Sequence, residues 1–424
     1  MRRSRLAAAL SAALPTALLA GLVACSDGAT NPGATPSGGA GLSGTITVQA
    51  AGGEGELNAL RSMIAAFETA HPGTKVELTG LAEQGEHIAK LGTAFAGGTP
   101  PDVFLLNYRR FGRFAQQGVI DPPALPAGEY YRPSLDAFTY GGRLLCMPQN
   151  ISSSVVYYNV KLFADAGVAP PRAGWTFADL ESTAAALKAK GVKTIGFETG
   201  FRTVPAFVWA RGGEVVDSTD KPSVITLGTP EARGALEYLK RLLDNGGVTA
   251  TDAAAASAED RFAQGELAMF VDSRRAVPAF RKAAGLDFDV APLPKDKTAA
   301  TLLASDAYCV AKASKNAALA REFARYAVGP DGGKVLAESG RTVPSLKSLA
   351  ESAAYLAPDQ KPKSARVWLD VIPTVRRLPN VANWNEAEST ATDLLEQYFA
   401  GKASLDATVT GIEKESRRVL AQEG

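Results

Sequence analysis

The pattern of apolar and polar residues between positions 45 and 106 predicts strands and helices in turn. Residues 45–50 and 75–79 alternate with a period of two, which indicates strands. Apolar residues recur at helical spacing after each of them, at Leu57, Leu60, Met63, Ile64 and Phe67 and again at Ile88, Leu91 and Phe95. Residues 103–106 are continuously apolar, as in a parallel strand covered on both faces. This β-α-β-α-β order predicts a doubly wound α/β sheet.

A change of pattern in mid-chain predicts a passage between two lobes. Residues 144–147 are apolar and indicate a short buried strand, which Pro148 should end because proline lacks a ladder donor. Residues 149–154 are polar, and residues 155–158 are apolar again. An ordinary hairpin in an α/β enzyme has the same pattern, so this segment alone leaves both interpretations open.

The second half of the chain continues the α/β pattern. Thr176 is expected to cap a helix, with Asp179 completing a capping box. Residues 192–197 and 267–271 are predicted to be strands, and residues 316–328, 384–399 and 405–420 to be helices.

Length and composition limit the classes of function. A chain of 424 residues is too long for one hydrophobic core. Its 45 basic and 44 acidic residues give no global field that would attract nucleic acid. The only histidines, His71 and His87, lack metal-ligand spacing, so we expect neither a metal nor a cofactor.

The N-terminus has the pattern of an export signal. Arg2, Arg3 and Arg5 precede an apolar stretch over residues 6–23, which ends in a sequence that resembles a bacterial lipobox at Cys25. We therefore expect residues 1–24 to be a lipoprotein signal peptide and Cys25 to be lipidated; a plain signal peptide and a spanning helix are the alternatives. Residues 25–44 are rich in Gly, Ser, Pro, Ala and Thr, which predicts a flexible tether.

A glycine-rich turn after the first strand admits two interpretations. Such a turn can hold a dinucleotide pyrophosphate, but Asn58 stands where the third glycine of that motif is required. Glu54 and Glu56 would also repel phosphates. A carboxylate that accepts hydrogen bonds from hydroxyl groups at the mouth of this turn fits better.

Several short motifs, in order, resemble the extracellular solute-binding proteins of ABC importers, specifically the sugar-binding type. They are Pro101-Asp102 before an apolar strand, Gln117-Gly118, Tyr158-Asn159, the set Phe262, Gly265, Ala268 and Met269, and residues 289–294 and 340–344. The resemblance implies a periplasmic-binding-protein-like fold of type II, with two doubly wound α/β lobes joined by a multi-strand hinge. Lobe one would comprise residues 45–146 and 309–340, and lobe two residues 149–305 and 341–424.

The resemblance also implies a function. The protein would be a monomeric receptor, anchored by lipid to the outer face of the cell membrane, and would bind an oligosaccharide or disaccharide between its lobes. It would deliver the sugar unchanged to the transmembrane permease subunits of an ABC transporter, without catalysis and without a nucleic-acid partner. By position in the family pattern, the candidate ligand-binding residues are Glu54, Gln84, Asn107, Arg109, Ser152, Phe201, Trp209, Arg274, Asp306, Arg341 and Trp384.

One departure from the family pattern leaves the solute class open. The loop after Val271 often carries tryptophan in relatives, whereas here it contains Arg274 and Arg275. With Arg109, Arg202 and Arg341 also expected near the site, a sugar acid or glycerol phosphate stays an alternative solute.

Two cysteines remain after Cys25. Cys146 and Cys309 lie in short apolar segments, so two buried free thiols are one interpretation. The resemblance favours a disulfide, because the corresponding strands of the family lie side by side near the lobe junction.

Two other classes of function compete with a receptor. An exported carbohydrate hydrolase needs two carboxylates about 5–9.5 Å apart across a cleft, and the chain has many acids. It has no Gly-x-Ser-x-Gly, P-loop or His-Glu-x-x-His motif. An adhesion or scaffold lipoprotein would show no saturable affinity for a small solute.

Overall fold

Strands and helices alternate through the part of the chain that the computed structural model describes, residues 42–249 and 257–422. Its strands are β1 Gly44–Ala51, β2 Thr74–Leu81, β3 Val103–Asn107, β4 Ile120–Asp121, β5 Thr139–Tyr140, β6 Arg143–Leu144, β7 Met147–Pro148, β8 Ser152–Ser153, β9 Val155–Asn159, β10 Lys193–Phe197, β11 Val248–Thr249, β12 Leu267–Asp272, β13 Phe288–Ala291, β14 Thr301–Ala304, β15 Asp306–Ala311 and β16 Val375–Arg376. Its helices are α1 Glu54–Ala70, α2 Gln84–Ala96, α3 Tyr108–Gln116, α4 Arg132–Ala137, α5 Val160–Ala166, α6 Phe177–Ala189, α7 Val204–Ala210, α8 Pro230–Asp244, α9 Ala258–Ala263, α10 Val277–Lys282, α11 Ala317–Val328, α12 Pro330–Glu338, α13 Lys347–Ala350, α14 Ala353–Leu356, α15 Val367–Asp370, α16 Trp384–Phe399 and α17 Leu405–Leu420. The predicted signal peptide, Cys25 and the tether up to residue 41 lie outside these ranges.

The first sheet confirms the predicted doubly wound order. Its strands lie in the order β2-β1-β3-β15-β4, and β1 pairs in parallel with both β2 and β3. Strand β15 returns from far along the chain and pairs antiparallel with β3. The apolar residues that predicted these elements, such as Ile46, Phe67 and Phe104, are fully buried between the sheet and its helices.

The second sheet is built in the same way, in the order β11-β10-β12-β9-β13. Strand β10 pairs in parallel with β11 and β12, and β9 pairs antiparallel with β12 and β13. Helix α6 begins at the predicted capping box, in which Asp179 N donates to Thr176 Oγ1 (3.1 Å) and Thr176 N donates to Asp179 Oδ2 (2.8 Å).

Three stretches of chain run side by side between the two sheets. Residues 149–154 lead from β7 in the first sheet to β9 in the second, and β14 with Ser305 leads back to β15. Strands β16, β14 and β8 form a small sheet there. Residues 341–345 lie alongside, where Ile151 N donates to Val343 O (2.8 Å) and Ser345 N to Gln149 O (3.2 Å).

The prediction of one strand over residues 144–147 was wrong. The segment divides into β6 and β7, and β7 ends at Pro148, which lies opposite Ala307 of β15. The ladder bond at this end of β7 is made by the next residue, because Gln149 N donates to Asp306 O (2.8 Å), so the missing N–H of the proline is not required.

A disulfide joins Cys146 to Cys309, one residue beyond the paired positions Met147 and Tyr308 of β7 and β15. Both cysteines are buried. The bond links the residue just before β7 to β15 of the first sheet.

The described residues from Leu42 onward form one compact unit, so the residue boundaries of two lobes stay a prediction. Within residues 42–249 and 257–422, no helix is long and apolar enough to cross a membrane.

Candidate ligand-binding site

A cavity of about 290 Å³ lies where strand ends of the two sheets and of the small sheet meet. Ala51 of β1, Asn107 of β3, Asp272 of β12 and Ala304 of β14 stand at its wall. Ligands of open α/β sheets bind in this place, outside the carboxyl ends of the strands. The volume is at the lower end of the range for small-molecule sites.

Charged side chains dominate the wall. Its guanidinium groups belong to Arg109, Arg110, Arg202, Arg275 and Arg341, and its carboxylates to Glu56, Glu198, Asp272, Asp306 and Glu388. Among the described residues that line the cavity, none is aromatic. No grouping of His, Cys, Asp or Glu in residues 42–249 and 257–422 could hold a metal ion.

Asp306 is the centre of a network at the first residue of β15. Asn107 Nδ2 donates to Asp306 Oδ1 (3.0 Å) and Asn150 Nδ2 to Asp306 Oδ2 (3.1 Å). Asn150 Oδ1 in turn accepts from Asp306 N (3.1 Å), and Ser305 Oγ donates to Asn150 O (2.6 Å). Two amides use only part of the acceptor capacity of the carboxylate, which leaves it free to accept hydroxyl groups from the cavity.

Two ion pairs flank this network. Arg341 Nη2 lies 2.7 Å from Glu56 Oε2, and Arg109 Nη1 pairs with Glu388 Oε1 of α16. Burial raises the pKa of Glu56; Arg341 opposes the rise and the neighbouring carboxylate of Asp306 adds to it. Burial works against the charge of Arg109, but Glu388 holds its pKa above the ordinary value.

The wall formed by the second sheet has its own cluster. Arg275 pairs with Asp272, and its Nη2 lies 2.8 Å from Glu259 Oε2. These two carboxylates keep the pKa of Arg275 above its ordinary value in spite of burial. Glu198 Oε2 lies 3.1 Å from Arg202 Nε.

Six of the predicted site residues line the cavity: Gln84, Asn107, Arg109, Ser152, Asp306 and Arg341. They come from α2, β3, α3, β8, β15 and the third stretch between the sheets. These residues lie at or near the ends of their elements, and the fold brings those ends together at the cavity although they are far apart in the chain.

The structure does not place the other five predicted residues at the cavity. Glu54 is exposed at the first residue of α1, and Glu56 occupies the wall instead. Trp384 and Phe201 are buried and pack edge to face against each other, with centroids 5.8 Å apart.

Trp209 and Arg274 are also core residues. Trp209 is buried in α7 under the guanidinium group of Arg376. Arg274 is fully buried and stacks on Tyr355 and Trp368, and it does not line the cavity.

Sequence reasoning missed several wall residues, among them Glu56, Arg110, Asn150, Glu198 and Glu388. Glu56 lies two residues after the candidate Glu54, and Asn150 lies two residues before the candidate Ser152, so both are close in sequence to predicted site residues. Glu388 carried no such signal, because only the packing of α16 against α3 brings it to Arg109.

The wall can bind a polar solute through several hydrogen bonds. Paired carboxylates, amides and guanidinium groups present planar donors and acceptors, which suit neighbouring hydroxyl groups. No metal or cofactor position is needed for this role.

Comparison with known proteins identifies relatives. Residues 62–363 match the family model described as "Bacterial extracellular solute-binding protein". The galactooligosaccharide-binding protein of Bacillus subtilis is 24% identical over 367 residues, which cover 82% of this chain and 83% of that protein.

Solved structures show the same fold. An ABC substrate-binding protein from Listeria monocytogenes, in complex with cycloalternan, is 23% identical and superimposes with a TM-score of 0.81 over 89% of this chain and 99% of that one. A Mycobacterium tuberculosis protein in complex with glycerophosphocholine is 22% identical, with a TM-score of 0.78 over 90% and 99% of the two chains. The predicted periplasmic-binding-protein-like fold is thereby confirmed.

Proposed function

The chain belongs to the family of bacterial extracellular solute-binding proteins, and from that premise we propose that it is the carbohydrate receptor of an ABC importer. It would work outside the cytoplasm, bind an oligosaccharide or disaccharide in the cavity, and pass it unchanged to membrane permease subunits. The observation that carries the proposal is the cavity wall of amides, carboxylates and guanidinium groups around Asp306.

Polar recognition of this kind is selective for hydroxyl patterns. A hydroxyl group left without a partner in a desolvated cavity costs about 1–3 kcal/mol. The solutes of two relatives agree with a carbohydrate: one is named for binding galactooligosaccharide, and one was solved with cycloalternan.

Binding would favour a closed arrangement of the two sheets. Arg109 of α3, which packs on β3 of the first sheet, pairs in the cavity wall with Glu388 of α16, which packs on α17. A solute that touches both sides only when they are close together stabilises that arrangement by its difference in affinity for the two states.

A screen of mono-, di- and oligosaccharides, sugar acids and glycerol phosphates by thermal unfolding tests the proposal. We expect one saccharide to stabilise the folded state by about 2.7 kcal/mol when present at 100 times its Kd. Asp306→Ala should abolish that stabilisation, because it removes the acceptor of Asn107 and Asn150. Asp165→Ala, at an exposed pair on α5, is the matched control and should bind like the natural protein.

Chromatography of the same mixtures separates a receptor from a hydrolase. We expect the bound saccharide to be recovered intact in stoichiometric amount. Turnover that is lost in Glu56→Gln would instead identify the hydrolase, and the absence of any saturable solute would favour a scaffold.

The lipid anchor on Cys25 is the second part of the proposal. In cells, Cys25→Ala should move the protein from the membrane fraction to the soluble exported fraction, because the thiol that would carry the lipid is gone. Fractionation and mass spectrometry of the N-terminus measure the outcome. A variant that stays on the membrane would show that another segment anchors the chain.

A further inference from the structure

One cation in the cavity wall lacks an anionic partner. Arg109, Arg202, Arg275 and Arg341 each form an ion pair with a carboxylate. Arg110 forms none with any residue in the described ranges 42–249 and 257–422. It lines the cavity and is only partly exposed, so water screens its charge incompletely.

The neighbours of Arg110 make its charge less favourable still. Burial lowers its pKa, and the guanidinium groups of Arg109 and Arg202 lower it further, while only Glu388 acts in the opposite direction. Glu388 is already committed to Arg109. Arg110 also stands in the first turn of α3, where the positive end of the helix dipole disfavours a cation.

A second guanidinium group in this part of the wall is available. The pair between Arg202 and Glu198 lies in the loop between β10 and α7, and the side chains are 51% and 44% exposed. Such exposed pairs are weak, so an incoming anion can take Arg202 from Glu198 at little cost.

We propose, building on the carbohydrate function proposed above, that the solute is an acidic sugar whose carboxylate binds to Arg110 together with Arg202. A planar guanidinium fork suits a carboxylate, which it can bind through two parallel hydrogen bonds. One unpartnered guanidinium balances the single charge of a carboxylate, whereas a phosphate monoester carries about −1.5 to −2 at pH 7. The absence of aromatic side chains among the described wall residues agrees with recognition through charge rather than stacking.

Two carboxylates elsewhere in the cavity wall are suited to the rest of such a sugar. Glu56 and Asp306 lie close enough to influence each other and are acceptors for hydroxyl groups. The sugar would therefore lie with its acid group toward Arg110 and its hydroxyl groups toward Asp306.

Calorimetric titration with matched solutes tests this assignment. The panel contains glucuronate, galacturonate, gluconate and the di- and trisaccharides of the uronic acids, each with its neutral counterpart and its sugar phosphate. We expect an acid to bind at least tenfold more tightly than its neutral counterpart, a preference that falls about tenfold or more in Arg110→Gln. Arg113→Gln, at an exposed position of the same helix, is the matched control and should keep the preference.

A salt titration of the natural protein gives a second readout that does not depend on a variant. The preference for the acid should shrink as ionic strength rises, whereas the affinity for the neutral sugar should change little.

Each outcome decides between the assignments. A neutral sugar that binds best, with no effect of Arg110→Gln, overturns the acidic solute but leaves the carbohydrate receptor intact. A sugar phosphate that binds best and depends on Arg110 overturns the choice of a carboxylate. If no saccharide in the panel binds, both this inference and the proposed function fail.

Discussion

Replacing Cys146 and Cys309 by alanine is expected to lower the free energy of unfolding by about 2–5 kcal/mol. The disulfide closes a loop with a sequence separation of 163, so its loss releases a long segment of the unfolded chain. Urea unfolding followed by far-ultraviolet circular dichroism measures the change as a shift of the midpoint.

Reductant supplies the control for that prediction. The natural protein should lose a similar amount of stability when the disulfide is reduced, and the double variant should not respond. Equal midpoints for the natural protein with and without reductant would show that the bond contributes nothing to stability.

Gly112→Ala is expected to destabilise the fold by about 1–3 kcal/mol and to weaken solute binding. A Cβ atom at this position of α3 would lie 1.9 Å from Asn380 O. Asn380 cannot retreat freely, because its Nδ2 donates to Ala137 O (2.9 Å) and the neighbouring Leu378 N donates to Tyr108 Oη (3.2 Å). The forced shift would also move Arg109 away from Glu388.

Gly92→Ala is the matched control for that substitution. It lies inside α2, where a Cβ atom would meet only Arg113 Nη2, at 3.5 Å. We expect a gain of about 0.5–1 kcal/mol from the better helix propensity of alanine. If both variants lost stability equally, the contact of α3 with Asn380 would not be the cause.

Much of the fold could be predicted because local patterns of apolar and polar residues determine most of its helices and strands. The period of Leu57, Leu60 and Phe67 predicted α1, and the predicted ends of α16 and α17 are those observed. The segment 144–147 failed because its pairing is not local. Strand β7, which ends at Pro148, pairs with β15, which lies about 160 residues further along the chain.

The candidate site was predicted less completely, for a physical reason. Trp384 and Phe201 are residue types that can stack on a sugar, but in this structure they are buried in the core. The sequence does not distinguish an aromatic side chain that lines a cavity from one that packs in a core. Polar residues at strand ends, such as Asn107 and Asp306, were easier, because the sheet topology determines where they lie.

The burial of the tryptophans has a practical consequence. Trp175, Trp209, Trp368 and Trp384 are all at most 3% exposed, and none faces the cavity. A solute cannot quench their fluorescence by contact, so a change in emission upon adding a sugar would report rearrangement of the surrounding protein. Intrinsic fluorescence would thus follow the movement of the two sheets rather than occupancy of the cavity itself.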